Sequence, residues 1–555
     1  MILGNNPICN RIVIPTGALA QWRDLLFRIL CLCDTVQMRH LDRALPAIFL
    51  LCLLLLSRSA GAYSLLTHEQ LIDLTWQSSI VPLLLSRYPG LTPAQLEEAR
   101  AYAYGGCVIQ DMGYYPFGDI AFSDLTHYVR SGDFVVNLFR DAQNADELAF
   151  AIGALSHYVG DTIGHSEATN RAVPVEFPNL LARYGPVVSY AEGEHQHVQA
   201  EFAFDIAEIA RHHMAPVHFL RHIGLKVPTQ QLALAYYQTY GLKGEFSGRH
   251  RRFNVREYRF AVHTFIPRIA YAVTLLHRRH EPPEPTTADA AELDKMVAAV
   301  EAENNWQFYR RKPGIGTYTL AGLLFVLPKI GPLKLVAVKG PTEATQADYL
   351  HSVVVSTSIL QQMLRRFTPP AAANSQPADR TVQQLVPAHA GQAGSGTALA
   401  TVALATDPAA ASDPASLADQ AAGESVSSSP QAHQAGNLAV TQTLNADALL
   451  ASKDPRHPLP NRDLDTGKVV QPGGYPLTDS TYAALLHRLT RTPATSIPPG
   501  IKRDIQAYYA DPNAPIGTKK DPAKWAQVQA DLVTLGSMPT NAEPDPYPTY
   551  GGNAE

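Results

Sequence analysis

The chain has 555 residues, 17% of them charged and 46% hydrophobic, with 42 prolines and a formal net charge of −5. That length exceeds one compact domain, and the composition excludes a collagen, a coiled coil, a wholly disordered chain and a generally basic protein that coats nucleic acid. Four of the five cysteines (Cys9, Cys31, Cys33 and Cys52) precede residue 60, so with Cys107 alone downstream neither a disulfide framework nor a cysteine-based zinc site is available there. The histidines are distributed otherwise: fourteen of the 20 fall between His68 and His280.

In chain order, residues 1–37 read as a leader from a start placed too early, because Met38 stands directly before an export signal. Arg39 and Arg43 precede the apolar run Ala44 to Leu56, and Ser59-Ala60-Gly61-Ala62 supplies small residues for cleavage, so 38–62 is expected to be a signal peptide. Its 13-residue core is short for a membrane span of about 20. Cleavage near Ala62 is expected to export the protein, to the periplasm or the medium, with Tyr63 as its first residue; an uncleaved anchor is the alternative.

A histidine-rich, helical region is expected over 63–367. Within it, Leu320 to Val338 is apolar but interrupted by Pro328, Lys329, Pro332 and Lys334, which suits two short buried or interfacial segments better than a lipid-spanning helix. From Thr368 to Gly474 there is no Phe, Trp or Tyr. A stretch without large apolar groups cannot offset its ordering entropy, so 368–456 is read as a low-complexity linker. A helical C-terminal segment follows over 457–537. In it Asp521-Pro522 opens a helix, Trp525, Val528 and Leu532 share a face and Gly536 is read as the stop; 538–555 is read as a frayed tail.

The chemistry concentrates before residue 202. His157, Asp161 and His165 recur every four residues on one helix, which Asn144 and Glu147 are placed to cap, so they form a polar stripe for which an apolar core has no use. His197 and Glu201 repeat the spacing on a helix expected over Glu192 to His213; a lone pair of this kind is common on a solvated face, but two within fifty residues are not. His195 lacks a carboxylate one turn on and is read as solvated or outside the ligand shell. Asp111, His127 and His68 are singly ordinary and gain weight from the ensemble. Imidazole and carboxylate together suit zinc and neighbouring divalent metals.

These residues, in this order, resemble the zinc-dependent phospholipase C group and its structural relatives, the S1/P1-type nucleases. The resemblance implies an all-α, multi-helix domain holding up to three Zn2+. Carried over by position, Asp111, His127, His157 and Asp161 would hold one ion, and His165, His197 and Glu201 a second. The amine and carbonyl of Tyr63 would hold the third with His68 and a bridging Asp161. Asp111 and Asp161 are the catalytic candidates. Three Zn2+ against the three carboxylates leave roughly +3 to draw in a phosphate oxyanion, and zinc acidifies bound water to a pKa near 7 for in-line attack on phosphorus. A looser likeness extends through Arg311-Lys312-Pro313-Gly314 and Lys329-Ile330-Gly331-Pro332 to about residue 365. The expected activity is hydrolysis of a phosphodiester, phospholipid foremost, with contact at a membrane surface and no stable nucleic-acid partner. Two alternatives stand beside it. One is a nuclease, which needs base-stacking aromatics and for which only Arg130 and Arg140 offer nearby positive charge; Tyr114, Tyr115, Phe117 and Tyr128 are placed to line a lipid headgroup, to stack a base or to belong to the core. The other is a non-catalytic secreted module with structural metals.

Overall fold

The computed structural model describes residues 65–115, 118–246, 255–277, 285–326, 340–367, 457–491 and 496–542. The expected leader, signal peptide and linker, with Tyr63, Phe117 and most of the C-terminal tail, lie outside them. Among the described residues the protein is all-α: no strand occurs, and only two isolated bridges, Arg462 with Val469 and Ile497 with Thr540, pair extended backbone.

Six helices before residue 211 position the site: α1 (Leu65–Thr75), α2 (Pro93–Gly106), α3 (Ile120–Tyr128), α4 (Ser131–Asp141), α5 (Ala145–Gly164) and α6 (Tyr190–Ala210). The central one is α5. Asn144 Oδ1 accepts from the Glu147 amide at 3.0 Å, and Asp146 and Glu147 place negative charge in the first turn, where the helix dipole favours it. Nearly every residue of α5 is buried, which requires neighbours on all sides. It packs against α1, α2, α4 and the long helix α7 (Glu343–Phe367).

The α2–α5 contact is a backbone approach. A Cβ on Gly153 would stand 2.2 Å from the Ala103 carbonyl oxygen, and one on Gly106 would stand 2.1 Å from that of Phe150. Gly160 does the same for α1, since a Cβ there would meet Leu71 Cδ1 at 2.9 Å and the His68 ring at 3.4 Å. The start of α1 is held from the far side, where Asp205 on α6 accepts from the Leu66 amide and the Thr67 hydroxyl at 3.1 and 2.8 Å.

Several boundaries differ from the sequence reading. Helix α6 starts at Tyr190 because Ser189 and Glu192 form a capping box, kinks at Gly193, and stops at Ala210 before His212 turns left-handed at φ 64°. The apolar stretch after Ile315 begins as one helix, Ile315–Val326, that buries Ala321 and Leu324 and exposes Phe325 and Val326; residues 327–338 lie outside the described structure. No helix among the described residues is long and apolar enough to cross a membrane.

From residue 457 the described chain makes α8 (Pro476–Arg491), α9 (Pro499–Tyr508) and α10 (Pro522–Ser537). Asp521 caps α10 as expected, with its side chain accepting from the Ala523 and Lys524 amides. Gly536 does not stop that helix. An interior glycine costs only about 1 kcal/mol, and Leu535 beside it is fully buried, so the turn continues until Met538 goes extended. Nor does the chain fray at Met538, because Asn541 donates its amide to the Ile497 carbonyl at 2.9 Å. Leu459, Leu464, Tyr482 and Leu486 from this part join the same buried cluster as α1 to α5.

The α2–α5 seam makes a direct prediction. Gly153→Val should destabilise the protein by at least ~1–3 kcal/mol, the usual cost of overpacking, because backbone rather than a mobile side chain blocks the new group. Urea unfolding of the variant beside wild type checks this, and an unchanged midpoint would contradict the close approach.

Candidate metal centre

Asp111 sits in a short 3-10 turn, Gln110–Gly113, that is pinned on both sides. Gln110 Nε2 donates to the Ala154 carbonyl on α5 at 2.9 Å, and the Gly113 amide donates to Ser123 Oγ on α3 at 2.8 Å. His127 comes from α3, His157 and Asp161 from α5, and His68 from α1. His165 opens a π-helical turn, His165–Thr169, that continues α5, and His197 and Glu201 lie one turn apart on α6. All eight side chains are buried, His68, His157, Asp161 and His197 completely.

They form two groups, one centred on Asp161 and the other on Glu201. Asp161 Oδ1 is 3.2 Å from His68 Nε2, while its Oδ2 is 3.3 Å from His127 Nε2 and 3.0 Å from His157 Nε2. Asp111 Oδ1 stands 3.3 and 3.9 Å from the same two Nε2 atoms. The His68 and His157 rings stack at 4.2 Å. On the other side, Glu201 Oε1 is 2.9 Å from His197 Nδ1 and 3.4 Å from His165 Nε2. Ligand atoms of three trios, His68/His157/Asp161, Asp111/His127/His157 and His165/His197/Glu201, converge within 4.8 Å.

The far side of each ring decides what the near side offers. Nδ1 of His127 faces the Ser123 carbonyl at 2.8 Å, Nδ1 of His157 the Cys107 carbonyl at 3.0 Å, and Nδ1 of His165 the Leu464 carbonyl at 3.0 Å. A carbonyl oxygen only accepts, so in each ring Nδ1 carries the hydrogen and a neutral ring turns the Nε2 lone pair inward. His197 is reversed: its Nε2 donates to Asn170 Oδ1 at 2.8 Å, leaving Nδ1 toward Glu201. Both oxygens of Asp161 and of Glu201, together with Asp111 Oδ1, His165 Nε2 and His197 Nδ1, lack a hydrogen-bond partner although buried. Lone pairs converging on carboxylates in a dry site are costly unless a cation lies between them, so this donor set fits a metal.

Charge tells the same story. Burial alone would push the Asp161 carboxyl up, but His157, His127 and His68 hold it well below the usual carboxylate range. Burial likewise works against a charged His127, and the Asp111 and Asp161 carboxylates facing it overcome that and raise the imidazole well above its ordinary value. The carboxylates demand positive charge at this spot, whether from protons or from a metal.

Of the sequence-predicted residues, the structure brings together His68, Asp111, His127, His157, Asp161, His165, His197 and Glu201, while Tyr63 lies outside the described residues. His195 is exposed, in keeping with its expected distance from the ligand shell. Tyr114 and Tyr128 are buried and bonded to Asp124 and Asp465, so they are packing groups rather than an open aromatic platform. The sequence reading missed Asn170, Leu464 and Asp465. Asn170 had no motif to mark it, and Leu464 acts through its backbone, which no side-chain pattern reveals.

A fourth cluster, Asp133, His457 and Asp504, has ligand-like spacing. Arg130 fills it, with Nε at 2.7 Å from both Asp133 and Asp504, so the cation there is a guanidinium and the cluster is an ion-pair network.

The class of protein so defined is an all-helical one built around a buried histidine and carboxylate centre suited to divalent metal. Residues 67–242, which include every one of those eight ligand-type side chains, match the family model described as zinc dependent phospholipase C. The match stops short of residue 365 and does not include the part after the linker. No curated protein and no solved structure matches the chain.

The fourth cluster generates a pH prediction. Burial lowers the His457 pKa, and the hydrogen bonds to Asp133 and Asp504 outweigh it, holding the ring up at about 10. A folded pKa raised above the unfolded value of about 6.5 contributes stability that is complete below pH 6.5 and is lost as pH rises through about 10. Wild type should therefore melt above His457→Gln at pH 6, with the gap closing by the time the pH has passed 10. A gap independent of pH would exclude this ion pair as its source.

Proposed function

We propose that this is an exported, zinc-dependent phosphodiester hydrolase that cleaves headgroups from phospholipids. The observation that supports it best is the orientation of the imidazoles: carbonyls hold the outer nitrogens of His127, His157 and His165, so their inner lone pairs converge on Asp111, Asp161 and Glu201. In this reading Asp111, His127, His157 and Asp161 hold one zinc ion, and His165, His197 and Glu201 another. His68 and Asp161 hold a third together with the amine of Tyr63, freed by cleavage near Ala62. Bound zinc supplies Lewis acidity and an acidified water.

The residues of the chain have separate tasks. Asp161 presents its two oxygens to different neighbours, which sets the spacing of the positive charge that receives a phosphate. Asp111 accepts on the His127 side and is placed to take a proton there, held rigid by the Gln110 and Gly113 anchors. The backbone carbonyls behind the rings fix ring orientation and raise ligand basicity.

Two features favour phospholipid over nucleic acid. Tyr114 and Tyr128 are committed to Asp124 and Asp465 instead of being open for base stacking. Arg130 is engaged by Asp133 and Asp504, and Arg140 by Gln238 and Asp141, so neither cation near the site is turned to a phosphate backbone. The outward Phe325 and Val326 of the Ile315–Val326 helix suit contact with a lipid surface.

Two measurements test this reading. Asp161→Asn should lower zinc content and reduce phosphodiester hydrolysis by at least about 100-fold, while His195→Ala changes neither much. Normal metal content in the Asp161 variant would overturn the ligand assignment, and turnover of nucleic acid but not of phospholipid would replace the substrate. Protein beginning at Tyr63 should bind more zinc and hydrolyse faster than protein keeping one extra residue before it, because an amide nitrogen is a poor ligand where an α-amine is a good one. Equal zinc counts in the two forms would remove Tyr63 from the ligand set.

A further inference from the structure

The segment that follows the linker reaches the His165/His197/Glu201 group at one tight turn. Asp463 builds that turn: its Oδ1 accepts from the Asp465 and Thr466 amides at 3.1 and 3.3 Å, and its Oδ2 from the Thr466 hydroxyl at 2.7 Å. Gly467 closes it at φ +70°, where a Cβ would stand 2.6 Å from the Thr162 carbonyl oxygen, so the turn lies directly on α5 beside Asp161. A side chain at that φ is strained and one at that distance is blocked, so both observations require glycine.

Seated there, two consecutive backbone carbonyls address the two imidazoles of this group. The Leu464 carbonyl takes the Nδ1 hydrogen of His165 at 3.0 Å. The Asp465 carbonyl takes the Asn170 amide at 2.7 Å. Because that oxygen can only accept, it fixes which end of the Asn170 amide faces His197, and Oδ1 then receives the His197 Nε2 hydrogen at 2.8 Å. The Leu464 amide also donates to the His127 carbonyl at 3.2 Å, tying the turn to the neighbouring group. The Asp465 side chain anchors the turn, with Oδ2 accepting from Tyr128 at 2.9 Å and from Tyr475 at 2.7 Å; the Tyr475 hydroxyl in turn accepts from the Ala191 amide at the start of α6 at 3.1 Å.

We infer that Leu464 and Asp465 complete the second metal site from outside the 67–242 region, by fixing the tautomers of His165 and His197. Without the turn, His165 loses its acceptor and Asn170 loses the bond that turns its oxygen to His197. Asp465 is thus a positioning residue that acts through Asn170, through its own backbone and through its carboxylate, whose Oδ1 stands 3.7 Å from His165 Nδ1. The inference rests on the proposed reading only in requiring that this trio hold metal.

The test uses the full chain, metal-stripped and reloaded with Zn2+ or Co2+. Asp465→Ala should weaken metal at the His165/His197/Glu201 site 10- to 100-fold, the usual effect of removing a group behind a ligand. It should lower zinc content by about one ion per chain at limiting metal and change the visible Co2+ spectrum. Asp465→Asn should recover most of the loss, since an amide oxygen still accepts from the two tyrosines. Asn170→Ala should reproduce the Asp465→Ala phenotype, which keeps the inference testable if the first variant folds poorly. Full metal content and an unaltered Co2+ spectrum in both Asp465→Ala and Asn170→Ala would overturn it, as would equal loss from every site. Wild-type protein that binds no metal would instead sink the proposed function itself, so the two failures are distinguishable.

Discussion

A carboxylate with no water around it needs positive charge, and the architecture is organised around that requirement at Asp161. Three imidazoles from three helices stand within 3.3 Å of its two oxygens in a fully buried position. An unpaired buried charge is among the costliest defects a protein can hold, so the surrounding elements are constrained to bring partners to this point. The glycines are part of the same constraint: Gly160 lets α1 approach α5 closely enough for His68 to reach the carboxylate, and Gly106 and Gly153 let the end of α2 lie on α5, where the Cys107 carbonyl meets the His157 ring.

The outer faces of the rings are governed by a different rule. Each inward-facing nitrogen depends on what the other nitrogen meets, and for His127, His157 and His165 that is a backbone carbonyl. Backbone acceptors carry no titratable charge, so they keep a hydrogen on the outer nitrogen whether or not the inner one is protonated. Function in such a centre depends on helix ends and turns as much as on the ligand side chains. It also places demands far along the chain, since Leu464 and Asp465, nearly 300 positions after His165, bond through their carbonyls to His165 and Asn170.

The ion-pair network at Arg130 shows how spacing alone misleads. Asp133, His457 and Asp504 meet the same distance criterion as the three trios, yet a guanidinium occupies the centre and the histidine is charged. What separates the two cases is whether buried lone pairs are left facing one another. At Asp161 and Glu201 they are; at Asp133 they are answered by Arg130 and His457.

The set of eight side chains that meet came from the family resemblance, while spacing alone determined the helical class, the i, i+4 pairs His157/Asp161 and His197/Glu201, and the cap at Asn144. These are local or periodic properties, and a helix converts spacing into direction without help from the rest of the fold. Only the tertiary structure decided which nitrogen each histidine turns inward, that Tyr114 and Tyr128 are packing groups, that α10 runs through Gly536, and that a turn beyond the linker closes on His165 and Asn170. Those outcomes depend on backbone carbonyls and on close approaches at glycine. Neither leaves a periodic trace, because a carbonyl is the same at every residue and its direction is set by the packing of helices distant in sequence.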